Sequence, residues 1–253
     1  MTSRGRLAVL GALLGAAVVV AALAPRIPQD PAYHRMADTR TLAGIPNALN
    51  VVSNAGFLVG GLLGLASLRP GGGACFRDVR ERWPYAVFFA GLVLTGLGSA
   101  YSHLETGNER LVWDRLPLAI TLMGLFAAIL TERIGVRMGL VLLGPLVALG
   151  IASVLVWAAS ERRGMGDLRF YALVQFFPML AIPVVAWLYP PCYTRGSDLV
   201  GVVACYGLAK LFEWLDGGVY SLGEIVSGHT LKHLVAALSG GWVWWMLVKR
   251  QPA

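Results

Sequence analysis

Three of the four histidines in this chain have the spacing and the surroundings of metal ligands. His229 and His233 are four residues apart, so on a helix they lie one turn apart on the same face. Both fall within an apolar run, residues 225–248, where an imidazole without a partner is costly. Coordination of one metal ion by both rings removes that cost, and zinc is a common metal for such ligands. The pair therefore predicts a zinc site.

A third histidine and two oxygen-bearing residues extend this pattern. His103 ends another apolar run, Ser99 precedes it by one helical turn, and Asp114 follows it by eleven residues. Three imidazoles with one open coordination position are typical of a catalytic zinc site, where the pKa of a water molecule falls to about 7. Asp114 is then a candidate general base and acid, and Ser99 a candidate hydrogen-bond donor to the water or the oxyanion.

Each of these residues also has a simpler structural interpretation. A single histidine in a membrane helix often only forms a hydrogen bond with a neighbouring helix, and a serine there often only allows close packing. The hypothesis depends on their combination. The predicted metal ligands are His103, His229 and His233, and the predicted catalytic residues are Asp114 and Ser99.

The composition indicates which elements must position these residues. Hydrophobic residues make up 57% of the 253-residue chain and charged residues 14%, whereas soluble domains carry about 25% charged residues. Eight apolar runs approach the roughly 20 residues that cross a bilayer. We expect an all-α integral membrane protein with a seven-helix transmembrane core and one extra N-terminal transmembrane helix. The predicted spans are residues 7–24, 47–67, 84–104, 114–130, 138–159, 169–189, 198–220 and 225–248.

The predicted organisation has three parts. Residues 1–24 form an N-terminal membrane anchor, although Ala22-Leu23-Ala24 also resembles a signal-peptide cleavage site. Residues 25–46 form an extracytoplasmic, proline-containing linker, and residues 47–253 form the seven-helix catalytic membrane domain.

The net charge of +7 arises mainly from arginines and lysines at the ends of apolar runs. Their distribution favours a cytoplasmic N-terminus and C-terminus, with the metal site towards the extracytoplasmic side. No nucleic-acid-binding motif accompanies these residues, so we expect the membrane and not a nucleic acid as the partner.

Further charged residues lie within the last two runs. Lys210, Glu213 and Asp216 follow one another at steps of three. Lys210 and Glu213 predict a structural ion pair, and Asp216 is a candidate acceptor for a ligand imidazole. Lys232 either extends to the membrane interface or contacts a polar substrate head.

The motif residues together resemble the alkaline ceramidase family, which is related to the progestin and adipoQ receptors. The resemblance covers about residues 33–248 and includes Asn50-Val-Val-Ser-Asn54, which is similar to the opening motif of the family. The other residues that carry it are Ser99, His103, Asp114, His229 and His233.

The resemblance implies a zinc-dependent amidohydrolase that cleaves a ceramide-like lipid amide to a sphingoid base and a fatty acid. The three histidines would hold Zn²⁺, and Asp114 and Ser99 would assist the water. Eukaryotic members carry an acidic calcium-binding cluster before and within the first core helix. Here that region has Asp38 among Arg35, Arg40 and Asn47, so calcium is not predicted.

Two other classes of function stay open from the sequence. A lipid-binding receptor or sensor could use the same bundle with a structural zinc, for which Asp114 could be the fourth ligand. A proton-coupled transporter could use Glu213 and Asp216, but the chain shows neither the repeats nor the paired broken helices typical of that class.

Overall fold

The structure, a computed structural model, describes residues 1–253 as a bundle of helices without a β-sheet. Two 3₁₀ turns, Pro31–His34 and Val79–Glu81, lie in the connections. The helices are α1 (Ser3–Leu23), α2 (Ala48–Val52), α3 (Ala55–Ser67), α4 (Arg82–Leu104), α5 (Asn108–Arg133), α6 (Val136–Arg162), α7 (Arg169–Leu188), α8 (Asp198–Trp214), α9 (Asp216–Tyr220) and α10 (Gly228–Lys249).

Seven segments, one of which is α2 and α3 together, are long and apolar enough to cross a membrane, which confirms an all-α, multi-pass membrane protein. The predicted span 198–220 is divided: α8 has 17 residues, and the chain bends at Leu215 before the short α9. Because α8 is shorter than the other candidates, it is not among the seven, although it packs against α10.

The predicted span 47–67 is also divided, into α2 and α3. At the break, the Ser53 hydroxyl donates to the carbonyl of Asn50 at 3.1 Å, and the Asn54 amide donates to the same carbonyl at 2.7 Å. Side chains that bond to nearby carbonyls compete with the helical hydrogen-bond ladder. The predicted span is confirmed, since Ala48–Ser67 is one of the candidate membrane spans, but it contains a turn at Ser53 and Asn54.

Helices α4 and α5 share the most extensive contact in the bundle. A Cβ atom on Gly98 would lie 2.0 Å from the Trp113 carbonyl oxygen, and one on Gly124 would lie 2.8 Å from the Phe88 nitrogen. Glycine is required at both positions because only a missing side chain allows this approach. The contact fixes the end of α4, with His103, beside the start of α5.

The linker, residues 25–46, crosses the end of the bundle at which α10 begins. Tyr33 donates a hydrogen bond to Glu213 at 3.0 Å, and the Asp216 carboxylate accepts the backbone N–H of Ala37 at 3.0 Å. Arg40 donates to the Ile225 carbonyl at 2.6 Å. The linker thus binds several helices at one end of the bundle, which is called the linker end below.

Candidate metal centre

His103, from the last turn of α4, meets His229 and His233, from the first two turns of α10. The Nε2 atom of His103 lies 3.3 Å from the Nε2 atoms of both other histidines. The three potential ligand atoms all lie within 4.8 Å of one another, and all three residues are buried. The structure thus brings together the three histidines that the sequence predicted as metal ligands.

The separations fit a single ion. Tetrahedral coordination with Zn–N bonds of about 2.0–2.1 Å places two ligand nitrogens roughly 3.3 Å apart. Two of the three nitrogen pairs have this separation. Three buried imidazoles that converge in this way could hold a metal ion.

The start of α10 places its two histidines. Ser227 caps the helix, since its hydroxyl accepts the N–H of Thr230 at 3.2 Å. The backbone N–H of His229 donates to the Asp216 carboxylate at 2.7 Å. Asp216 therefore satisfies a free N–H in the first turn of α10 instead of an imidazole, which differs from the role suggested by the sequence.

Ser53, at the break between α2 and α3, orients one ligand. Its hydroxyl lies 2.9 Å from Nδ1 of His233. An outer partner on one ring nitrogen fixes the ring orientation and leaves the other nitrogen for a metal. Sequence reasoning missed this residue, although Asn50, Ser53 and Asn54 share one helix face by their spacing.

His103 is held differently. The Asn47 side-chain amide donates to the His103 backbone carbonyl at 2.8 Å. Its Nδ1 atom is buried without a hydrogen-bond partner, so its ring is positioned by packing and not by an outer acceptor. Gly96, on the same helix, would place a Cβ 2.9 Å from the Leu58 side chain, which shows how closely α3 covers α4 here.

Asp114 and Ser99 both line one cavity of about 150 Å³ together with His233. Asp114 also lines a smaller cavity of about 10 Å³ beside His103. Neither the Asp114 carboxylate nor the Ser99 hydroxyl is hydrogen-bonded to another protein group, so both are free for a ligand. Asp114 lies in the second turn of α5, which begins at Asn108, whereas the sequence placed it at the start of the span.

The cavity of about 150 Å³ is polar beside His233 and mainly apolar farther from the metal centre. Its polar side includes Asp114, Arg115, Glu213 and Lys232, and its apolar walls come mainly from α4, α5 and α7. The apolar lining residues are Phe88, Leu92, Leu118, Leu122, Leu125 and Met179.

Glu213 joins the charged residues of this cavity. It forms ion pairs with Lys210 and, at 2.9 Å, with Lys232. The predicted pair of Lys210 and Glu213 is thereby confirmed. Because the Lys232 ammonium pairs with the Glu213 carboxylate inside the bundle, its side chain does not extend to the membrane interface.

Comparison with models of known protein families and with curated proteins finds no match for this chain. The functional conclusion therefore depends on the site itself.

Proposed function

We propose that this protein is a zinc-dependent intramembrane amidohydrolase that cleaves a ceramide-like lipid amide. The observation that carries the proposal is the convergence of three imidazoles beside a cavity that is polar at this end, where His233 lines it, and mainly apolar beyond. A cavity with one polar and one apolar end suits a lipid with a reactive head and a long chain. We place the termini in the cytoplasm and the metal centre towards the extracytoplasmic side, as the loop charges favour.

Zinc, when bound, supplies Lewis acidity for the activation of water and of the amide carbonyl. Asp114 accepts a proton from the attacking water and returns it to the nitrogen of the leaving amine. The free hydroxyl of Ser99 donates a hydrogen bond to the carbonyl oxygen as negative charge develops there. Leu92, Leu122 and Met179 bind the acyl chain and keep water from the far end of the cavity.

The test combines metal analysis with a hydrolysis screen over a panel of lipid amides. We expect purified wild-type protein to hold about one zinc per chain and to release fatty acid, and His229→Ala to lose both properties. His34→Ala is the matched control, since His34, in the linker, bonds to Asn108 at the start of α5 and not to the three-histidine cluster. It should retain zinc.

Two results would contradict the proposal. Wild-type protein that lacks zinc and cannot regain it would exclude the metal centre. Equal, background-level release of fatty acid by wild type and His229→Ala would exclude the amidohydrolase.

A further inference from the structure

Arg115 is a buried cation that the proposed hydrolysis does not use. It lies one residue after Asp114 on α5, is 6% exposed, and lines the same cavity. No carboxylate lies within ion-pair distance of its guanidinium, whereas Lys210 and Lys232 both bind Glu213. An arginine inside a membrane bundle is expected to have an anionic or polar partner.

The partners that Arg115 does have satisfy only part of its guanidinium. Its Nη2 atom donates to the Gln29 side-chain oxygen at 2.5 Å, and the rings of Trp157 and Tyr171 lie 4.2 and 4.9 Å from Cζ. Its Nη1 atom is buried without a hydrogen-bond partner. Because a guanidinium carries five N–H donors, the aromatic rings and one amide leave donors unused.

A second polar group of the cavity is in the same situation. Tyr206, on α8, lines the cavity, and its hydroxyl is buried beside the Gln175 side chain without an acceptor within hydrogen-bond distance for its proton. A buried hydroxyl without a partner costs free energy, and a ligand oxygen would remove that cost. Two independent donors on the walls of one cavity thus lack an acceptor.

The charge of the cavity indicates the kind of acceptor. Its lining contains three cations, Arg115, Lys210 and Lys232, against the two carboxylates Asp114 and Glu213. These side chains leave one positive charge over, and a bound Zn²⁺ would add to it, so the acceptor is an anion. A planar guanidinium also matches a carboxylate in shape.

We propose that Arg115, assisted by Tyr206, binds the carboxylate of a single-chain amphiphile in this cavity. The carboxylate has two possible sources: the fatty acid that hydrolysis releases, or a substrate head group, as in an N-acyl amino acid. The inference deepens the proposed function by naming a subsite for substrate or product. The subsite is tested by measuring binding, so the test can support it even if the protein does not hydrolyse lipid amides.

The experiment measures equilibrium binding to the full-length protein in detergent with three probes. These are palmitate, hexadecanol as its uncharged counterpart, and the isostere of N-palmitoylglycine in which a methylene group replaces the amide nitrogen. The last probe carries a head-group carboxylate and cannot be hydrolysed. The variants are Arg115→Gln, Tyr206→Phe and the control Arg110→Gln, whose guanidinium pairs with Glu105 at 2.6 Å.

We expect Arg115→Gln to weaken carboxylate binding roughly ten- to a hundredfold and Tyr206→Phe to weaken it several-fold. Hexadecanol should bind all variants alike, and Arg110→Gln should bind every probe as wild type does. An effect on palmitate alone assigns the subsite to the released acid, and an effect on the isostere assigns it to the substrate head.

A purely structural role for Arg115 predicts a different result. Arg115→Gln would then reduce stability and affect all three probes equally, or none of them. Either result overturns the proposal. Tyr206→Phe is the second variant because it removes only a hydroxyl that donates to no protein group, so the protein should still fold.

Discussion

The chemistry of the centre depends on which nitrogen of each imidazole is free. The Ser53 hydroxyl is hydrogen-bonded to Nδ1 of His233, so Nε2 of His233 is the nitrogen that faces the other two rings. Asp216 fixes the backbone of His229 instead of its ring. A polar residue thus orients the ring of His233 and another holds the backbone of His229, whereas the ring of His103 is positioned by packing.

Substitution Ser53→Ala removes the outer partner of one ligand without removing a ligand. We expect zinc affinity to fall roughly ten- to a hundredfold, since outer partners of ligand histidines contribute effects of that size. Competition with a chelating dye measures it. Ser153→Ala is the control, because the Ser153 hydroxyl is buried but donates only to the carbonyl of Gly150 in its own helix. Equal zinc affinity of the two variants would show that Ser53 does not orient His233.

Substitution Asp114→Asn separates catalysis from metal binding. The amide keeps the shape but accepts no proton, so we expect hydrolysis to fall by about 10²–10⁴-fold while about one zinc per chain remains. Metal content and initial rates measured on the same preparation check this. Loss of zinc in this variant would make Asp114 a ligand and would favour a receptor with a structural metal site.

At the scale of the elements, close helix contacts determine which residues meet. Gly98 allows the backbone of α5 to contact α4 at Trp113, next to Asp114. Gly228 allows the start of α10 to contact the backbone of α8, since a Cβ atom on Gly228 would lie 2.3 Å from the Phe212 carbonyl oxygen. These contacts bring the start of α5 to the end of α4, and the start of α10 to α8.

Substitution Gly98→Ala should force α4 and α5 apart. We expect a loss of about 1–3 kcal/mol in unfolding free energy, the usual cost of overpacking, together with a loss of hydrolysis. Gly144→Ala is the control: Gly144 lies in α6 with no atom within 4 Å of its Cβ position, so alanine should leave stability equal or higher. Unfolding in detergent measures both. Equal stability of the two variants would contradict the close contact.

For the whole molecule, the linker connects helices that are distant in sequence. Gln29 reaches Arg115 on α5, Tyr33 reaches Glu213 on α8, and Arg40 reaches Ile225 before α10. The linker itself is stabilised by Asp38, which is buried and paired with Arg40 at 2.7 Å. It therefore contributes Tyr33 to the wall of the cavity and connects α5, α8 and the start of α10 at the linker end.

The ion pair of Asp38 and Arg40 makes the stability contributed by the linker depend on pH. Hydrogen bonds from Arg40 hold the pKa of Asp38 below its ordinary value of 3.8. A lowered pKa stabilises the fold above the ordinary value and loses that effect as the pH falls through the lowered one. We expect the difference in Tm between wild type and Asp38→Asn to be constant above about pH 5 and to shrink below about pH 4.

The control for this experiment is Asp78→Asn. The Arg80 side chain lowers the pKa of Asp78 to about 2, but both residues are on the surface away from the linker. Exposed pairs contribute little to stability, so Asp78→Asn should change Tm less. A Tm difference for Asp38→Asn that stays unchanged down to pH 3 would show that ionisation of Asp38 is not its cause.

Much of the fold was predictable from the sequence because the relevant signals are local. Long apolar runs predicted the membrane helices, and the four-residue spacing of His229 and His233 placed both rings on one face of α10. The breaks within residues 47–67 and 198–220 were missed, since hydropathy does not register hydrogen bonds such as those of Ser53 and Asn54. Helix starts were also imprecise, as the beginning of α5 at Asn108 shows.

By itself, therefore, the sequence determined the class of protein and the residues that could bind a metal, because hydropathy and residue type are properties of short segments. Only the tertiary structure decided that His103 lies 3.3 Å from two histidines more than a hundred positions away. It also placed Ser53 on His233 and left Arg115 without a carboxylate partner. Such contacts arise from the packing of separate helices, and no local pattern in the chain specifies which helices become neighbours.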